Sequence, residues 1–169
     1  MDREKIILYS EKTENLGEPE LFLGRGEARE PGCGDVLAMF VDTRREIITE
    51  CRFTITESAC PPLKACAARA AELALGKPVM EAYLISAAAL SEFFGGLEQE
   101  SIHCAQMAEI ALKRMLKDYA VRRADRMAQM SGRMTERFFA HRNQSSPGML
   151  MIHSGMVTSD TTHTHMDVR

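Results

Sequence analysis

Between residues 36 and 76 the chain changes its period, and that change constrains the fold more than any other feature. Val36 to Val41 is an unbroken apolar stretch that predicts a strand. After the turn DTRRE, Ile47 to Ile55 alternates, with Ile47, Thr49, Cys51, Phe53 and Ile55 on one face and Ile48, Glu50, Arg52 and Thr54 on the other. This is the two-residue repeat of a half-buried hairpin strand. From ESACPPLKACAARAAELALGK onward the alternation stops. Two prolines stand where a helix would start, Leu63, Cys66, Ala70 and Leu73 fall at helical spacing, and Gly76 ends the run. PVMEAYLISAAALSEFFGG predicts a second helix stopped by Gly95 and Gly96. A third runs from about Ser101 through HCAQMAEIALKRMLKDYAVRRADRMAQM, with Cys104, Ala108, Ala111, Met115 and Tyr119 on one face. Strands first and helices after predict an α+β fold, a small antiparallel sheet of about three strands packed against C-terminal helices.

The flanks are less ordered in pattern. Met1 to about Asn15 reads as a short helix or a loosely attached arm, and NLGEPELFLGRGEAREPGCG as mostly loop. After Gly132 the sequence loses any sustained period and becomes rich in Ser, Thr, His and Met. The reading is one folded domain over 1–131, including an extended last helix, and a flexible tail over 132–169.

Composition excludes more than it suggests. A net charge of −3 makes no case for nucleic acid or an anionic membrane surface. No stretch approaches the roughly 20 apolar residues of a membrane span. The apolar run in MDREKIILYSEK is too short for a signal peptide. A cytoplasmic, reducing location is the expectation, and there five cysteines are better read as core residues or ligands than as disulfides.

The cysteines divide by position. Cys51 lies on the apolar face of a strand and Cys66 on that of a helix, where each reads as a small buried hydrophobe. Cys33 sits in a glycine loop before a strand, Cys60 directly before the prolines that open a helix, and Cys104 in the first turn of the third helix, after His103. Helix starts favour negative charge on a thiol. Spacings of 27 and 44 residues match no zinc finger or CxxC ribbon, so spacing alone leaves a three-cysteine metal site and unrelated thiols both open.

The motifs carry further. GEAREPGCGDVLAMFVD, a hairpin ending ECRF, a cysteine at a helix start, LGKP and IHCAQMAEIALKRMLKDY follow one another in order. Together they resemble the IscU/NifU-type iron–sulfur cluster assembly scaffold (the N-terminal NifU-like domain) over roughly residues 15–123. The resemblance implies that Cys33, Asp35, Cys60, His103 and Cys104 surround an assembling cluster, a transient [2Fe–2S] species, with zinc as an occupant of the isolated protein. It implies a cysteine desulfurase as sulfur source, a ferredoxin as electron source and apo iron–sulfur proteins as recipients. No catalytic residue is assigned. Soft thiolates hold iron–sulfur clusters, and a shell of three thiolates with a harder carboxylate or imidazole is suited to release.

Three departures from the family pattern stand out. The LPPVK segment that a specialised Hsp70-type chaperone binds in many members is LEQES here, Leu97 to Ser101, which argues against docking of that chaperone. The second cysteine stands in ACPP rather than GCG, which predicts a stiffer Cys60 biased away from helical geometry. The third helix continues through Met127, Met130, Met134 and Phe138, flanked by Arg122, Arg123, Arg126, Arg133 and Arg137. That stripe reads as an amphipathic extension on its own domain or as a surface for a partner or a homodimer. The tail histidines His153, His163 and His165 read as solvated polar residues, with metal binding as the sharper option.

The leading function is a scaffold, not an enzyme, that assembles and hands on a cluster. The rival is a divergent homologue holding a structural or regulatory zinc ion on the same three cysteines. A thiol enzyme using His103 and Cys104 is weaker, because adjacent helical residues point about 100° apart.

Overall fold

The computed structural model describes residues 1–32 and 34–144. Its elements are α1 (Arg3–Ser10), β1 (Gly24–Arg29), β2 (Val36–Arg44), β3 (Ile47–Ile55), α2 (Pro61–Ala74), α3 (Val79–Ala82), α4 (Ala87–Phe93) and α5 (Ile102–Gln144). The three strands form one antiparallel sheet in the order β1-β2-β3. The α+β expectation, the three-stranded sheet and the long last helix therefore all hold. Met1–Met130 make one compact unit. Of the sequence expectations, Cys33 and the tail from 145 on, with His153, His163 and His165, lie outside the described residues.

β1 corrects the reading of residues 15–34 as mostly loop. Its inward positions are Gly24, Gly26 and Ala28, while Arg25, Glu27 and Arg29 point away. No apolar alternation marks such a strand, and the reason is steric. α5 crosses so closely that a Cβ on Gly24 would lie 2.6 Å from the Met115 carbonyl oxygen, and one on Gly26 would overlap the Met115 amide and the Ala111 carbonyl. Two polar ties hold the crossing: the Arg25 amide donates to Asp118 at 2.8 Å, and Arg114 donates to the Glu27 carbonyl at 2.6 Å.

β2 and β3 are joined by Arg45–Glu46, both at positive φ (52° and 67°), the geometry a tight hairpin needs without the usual Asn or Gly. Packing holds the strained pair. The Glu46 carbonyl accepts from the Val79 amide, and its carboxylate pairs with Arg123 at 2.8 Å and accepts from the Tyr119 hydroxyl at 3.2 Å.

The simple alternation expected for β3 breaks once. Asp42 pairs with Glu50, but Thr43 pairs with Ile48, leaving Thr49 as the extra residue of a bulge. The phase flips there: Cys51 and Phe53 are buried as expected, but on the far side of the bulge Ile48 is the buried residue and Ile47 is exposed.

α2 lies on the sheet through Leu63, Cys66 and a run of buried alanines. α1 is a docked helix rather than a loose arm. Asp2 caps it by accepting from the Lys5 amide, Ile6 and Tyr9 are buried, and the Tyr9 hydroxyl donates to Glu72 of α2 at 2.9 Å. The second helix expected over residues 78–94 is broken into α3 and α4. Ser86 takes an extended conformation and caps α4 by accepting from the Ala89 amide, and the Ala87 amide is drawn off to Glu109 at 2.6 Å. Side-chain acceptors that compete for amides offer the backbone an alternative to a continuous helix. The inner face of α5 buries Cys104, Ala108, Ala111, Met115 and Tyr119, as the spacing predicts. Among the described residues no helix is long and apolar enough to cross a membrane.

Candidate functional site

The site forms where two helix starts meet. Cys60 is the N-cap of α2, with φ −63° and ψ 151°, the extended geometry expected of a residue before proline. Its sulfur caps nothing. Pro61 and Pro62 have no amide hydrogen, and the Leu63 amide is already committed to the Cys60 carbonyl at 3.0 Å. An ordinary N-cap would spend its side chain on the backbone. The two prolines leave this thiol available for another contact. It lies 3.5 Å from the sulfur of Cys104, a residue 44 positions along the chain.

Cys104 belongs to the first turn of α5, its amide donating to the Ser101 carbonyl at 3.0 Å. The imidazole Nε2 of His103 lies 3.5 Å from its sulfur. The angular offset of neighbouring helical residues did not anticipate this contact. The histidine side chain is long enough to fold back across the offset. Cys60 and His103 are half-buried and Cys104 is fully buried, so the cluster reaches from the core to the surface.

The loop that carries Cys33 is fixed on both sides. The Glu30 amide donates to the Asp35 carbonyl at 2.9 Å, and the Gly34 amide to the Glu30 carbonyl at 2.8 Å, with Gly34 at φ 76°. A residue with a Cβ is strained at that φ, so Gly34 suits the turn. The end of the loop is then tied toward the second cysteine. The Val36 amide donates to the Thr56 hydroxyl at 2.8 Å, the Thr56 amide donates back to the Val36 carbonyl at 3.1 Å, and the Ala59 amide donates to the Thr56 carbonyl at 2.9 Å. Thr56 thus joins the Cys33 loop to the turn that ends at Cys60. Sequence reasoning missed Thr56. Its signal was a hydroxyl at the end of a strand, four residues before a helix cap. Asp35 is buried, with 6% of its surface exposed, at the mouth of β2.

The structure therefore brings Cys60, His103 and Cys104 into contact and ties the loop of Cys33 and Asp35 to the segment before Cys60. Among the described residues, no three or more His, Cys, Asp or Glu side chains converge on one metal position. Cys51 and Cys66 stay out of the contact. Burial pushes the Cys51 thiol up to about 12, and burial, with a smaller contribution from nearby Cys60, does the same to Cys66. Both are small core hydrophobes, as their faces implied.

Known proteins with this pattern point one way. Residues 1–126 match the model of the NifU-like N terminal domain. The iron-sulfur cluster assembly scaffold protein IscU 1 of Archaeoglobus fulgidus is 30% identical over 119 residues, covering 70% of this chain and 76% of that protein. The scaffold protein IscU of Escherichia coli K12 is 31% identical over 124 residues, covering 71% of this chain and 94% of that protein. A crystal structure assigned to an iron–sulfur cluster assembly scaffold for the SUF system of Fervidobacterium islandicum superposes with a TM-score of 0.55 at 18% identity. It covers 67% of this chain and 94% of its own, which shows the shared fold. The chain belongs to the NifU-like N terminal domain family.

Proposed function

We propose that this protein is a scaffold on which an iron–sulfur cluster is built and from which it is passed to apo-proteins. One observation carries the reading: two thiols from distant segments, Cys60 and Cys104, lie 3.5 Å apart with His103 beside the second. Soft sulfur donors at that spacing suit iron, and the half-buried rim leaves an exit. In this reading Cys33 is the third thiolate and Asp35 the hard donor that keeps the shell weak. The cluster is a [2Fe–2S] cargo rather than a resident group. Sulfur comes from a cysteine desulfurase, electrons from a ferredoxin, and apo iron–sulfur proteins are the recipients, in the cytoplasm.

The protein is not an enzyme in this scheme. The His103–Cys104 contact serves ligand placement, and among the described residues no second histidine or carboxylate is seen orienting the imidazole as a nucleophile–base pair requires. LEQES at residues 97–101 offers two acids where chaperone-binding relatives have prolines and lysine, so the transfer step runs without an Hsp70-type chaperone.

Anaerobic reconstitution with iron, sulfide and a desulfurase tests the proposal. Visible charge-transfer absorption, followed by its transfer to an apo-ferredoxin, is the expected result. A colourless protein that holds one tight zinc ion would overturn it in favour of a structural or regulatory zinc site.

A further inference from the structure

Two surface features outside the thiol site match each other. The first is a groove of about 680 Å³ between α4 and the first turns of α5. Ala87, Ala88, Ile102, Ser91, Glu92 and Gln106 line it, and Ile102 is 44% exposed. Glu92 is exposed, and so are Glu98 and Glu100 in the segment that joins the lining residues Gly96 and Ile102, Glu98 in a surface pair with Arg3 at 3.7 Å. The second feature is the arm of α5. Every residue from Val121 to Ser131 is exposed, including Met127 at 59% and Met130 at 66%.

A helix exposed on all sides gains nothing from packing and is marginal unless another surface covers it. The arm is also basic. Arg122, Arg123 and Arg126 against Asp125 give Val121–Ser131 a surplus of +2; the chain as a whole is −3, so the rest carries −5. Arg122 and Arg123 are tied back to Asp118 and Glu46. Arg126 and Met130 follow at one-turn spacing along one face, with Met127 beside them.

The arm cannot fill the groove of its own molecule. Gln106 and Met127 lie on one continuous helix, about 31 Å apart at 1.5 Å per residue. Arm against arm would set like charges together. The complementary surfaces are both present on every copy of the chain, one basic and methionine-rich, the other acidic and apolar.

We propose that the α5 arm of one molecule docks in the α4–α5 groove of a second copy, and reciprocally, in a twofold dimer. Met127 and Met130 cover the apolar lining, and Arg126 faces Glu92 and Glu100. Methionine side chains adapt to such a groove, and a helix laid in a groove is a common recognition mode. Reciprocal exchange closes the assembly at two chains.

Sedimentation velocity on the full chain, across protein concentration and at low and high salt, reads the association. The expected result is a monomer–dimer equilibrium that weakens at least tenfold between about 0.05 and 0.5 M salt, as screening removes the charge pairing. Met127→Asp with Met130→Asp should abolish it, and so should Glu92→Arg with Glu100→Arg. All four positions are exposed, so circular dichroism should show both variants folded. Mixing the two variants is the decisive arm of the test. An intact arm from one meets an intact groove on the other, so heterodimer should reappear. A monomer under all conditions would overturn the proposal. So would a dimer that survives in either variant, the outcome of another interface such as arm-to-arm pairing, or a mixture that stays monomeric.

Discussion

Cys66 and Cys104 are equally buried, each with 0% of its surface exposed, and both count in the core, yet only Cys104 also joins the candidate site. Cys66 lies in the body of α2 among the core residues, and burial, with a smaller contribution from Cys60, pushes its thiol up to about 12. Cys104 touches a second sulfur and an imidazole, both at 3.5 Å. Exposure therefore does not separate a purely structural thiol from one at the candidate site in this fold. What separates them is placement: a thiol in the body of an element meets hydrocarbon, and a thiol at the start of one meets the start of another.

The largest expected effect breaks that comparison directly. Cys60→Ser or Cys104→Ser should remove nearly all visible absorption after reconstitution, because a hydroxyl is a poor ligand for iron–sulfur iron. Cys51→Ser and Cys66→Ser should retain the chromophore and lower stability instead, by about 1–3 kcal/mol for an unpaired buried hydroxyl. Chromophore loss in the core variants, or its retention in Cys60→Ser, would reverse the assignment. The same contrast should appear in oxidation. A mild two-electron oxidant such as diamide should join Cys60 to Cys104 within one chain, seen as a loss of about 2 Da at that peptide pair by mass spectrometry. Cys51 and Cys66 should stay reduced.

A comparable effect is expected far from the thiols, where β1 passes under α5. Gly26→Ala places a methyl group against the Met115 amide and Ala111 carbonyl, backbone atoms that cannot move aside alone. Urea unfolding should show a loss of about 3 kcal/mol or more. Gly34→Ala, in the loop beside Cys33, meets nothing within 4 Å and should lose only about 1 kcal/mol through its positive φ. Equal losses at the two glycines would mean that the α5 crossing is less tight than described.

These two glycine positions also show what was legible in the sequence. The strands β2 and β3, the start of α2 and the inner face of α5 carry their apolar spacing openly, because each packs against side chains. β1 packs against a helix backbone, so its inward residues are small, and small residues leave no periodic signal. The β3 bulge at Thr49 was hidden for another reason: a one-residue insertion preserves composition and reverses only the phase. At the site, Cys60, His103 and Cys104 were readable as a group through their resemblance to a known family. Their contact was not, because it depends on the prolines withholding two amides from Cys60 and on a histidine reaching back across its own turn.

A smaller effect follows from the core thiols alone. Their folded values stand near 12, against about 9 for an ordinary thiol, so the unfolded chain gives up protons first as pH rises. The stability these two groups contribute is complete below about 9 and is lost between about 9 and about 12. Chemical unfolding across that window should show a falling free energy, and Cys51→Ala should make the fall shallower. An unchanged slope would remove Cys51 from the account of the core.

The smallest expected effect concerns the residue that joins the two regions. Asp35 is buried like a core residue but sits one position before β2, in the loop of the third cysteine. Its carbonyl accepts from the Glu30 amide, so truncating the side chain leaves that backbone bond in place. If the carboxylate acts as the hard, weak member of an otherwise sulfur shell, Asp35→Ala should leave assembly intact and lengthen the lifetime of the cluster. Transfer to apo-ferredoxin should slow about tenfold, the factor carried by ~1.4 kcal/mol. Assembly yield, lifetime and transfer rate measured on one preparation separate the possibilities. Lost assembly would make Asp35 a structural support of the loop, and unchanged lifetime with unchanged transfer would remove it from the site. Slower release with full assembly would show that the boundary between core and site is also where the cluster is let go.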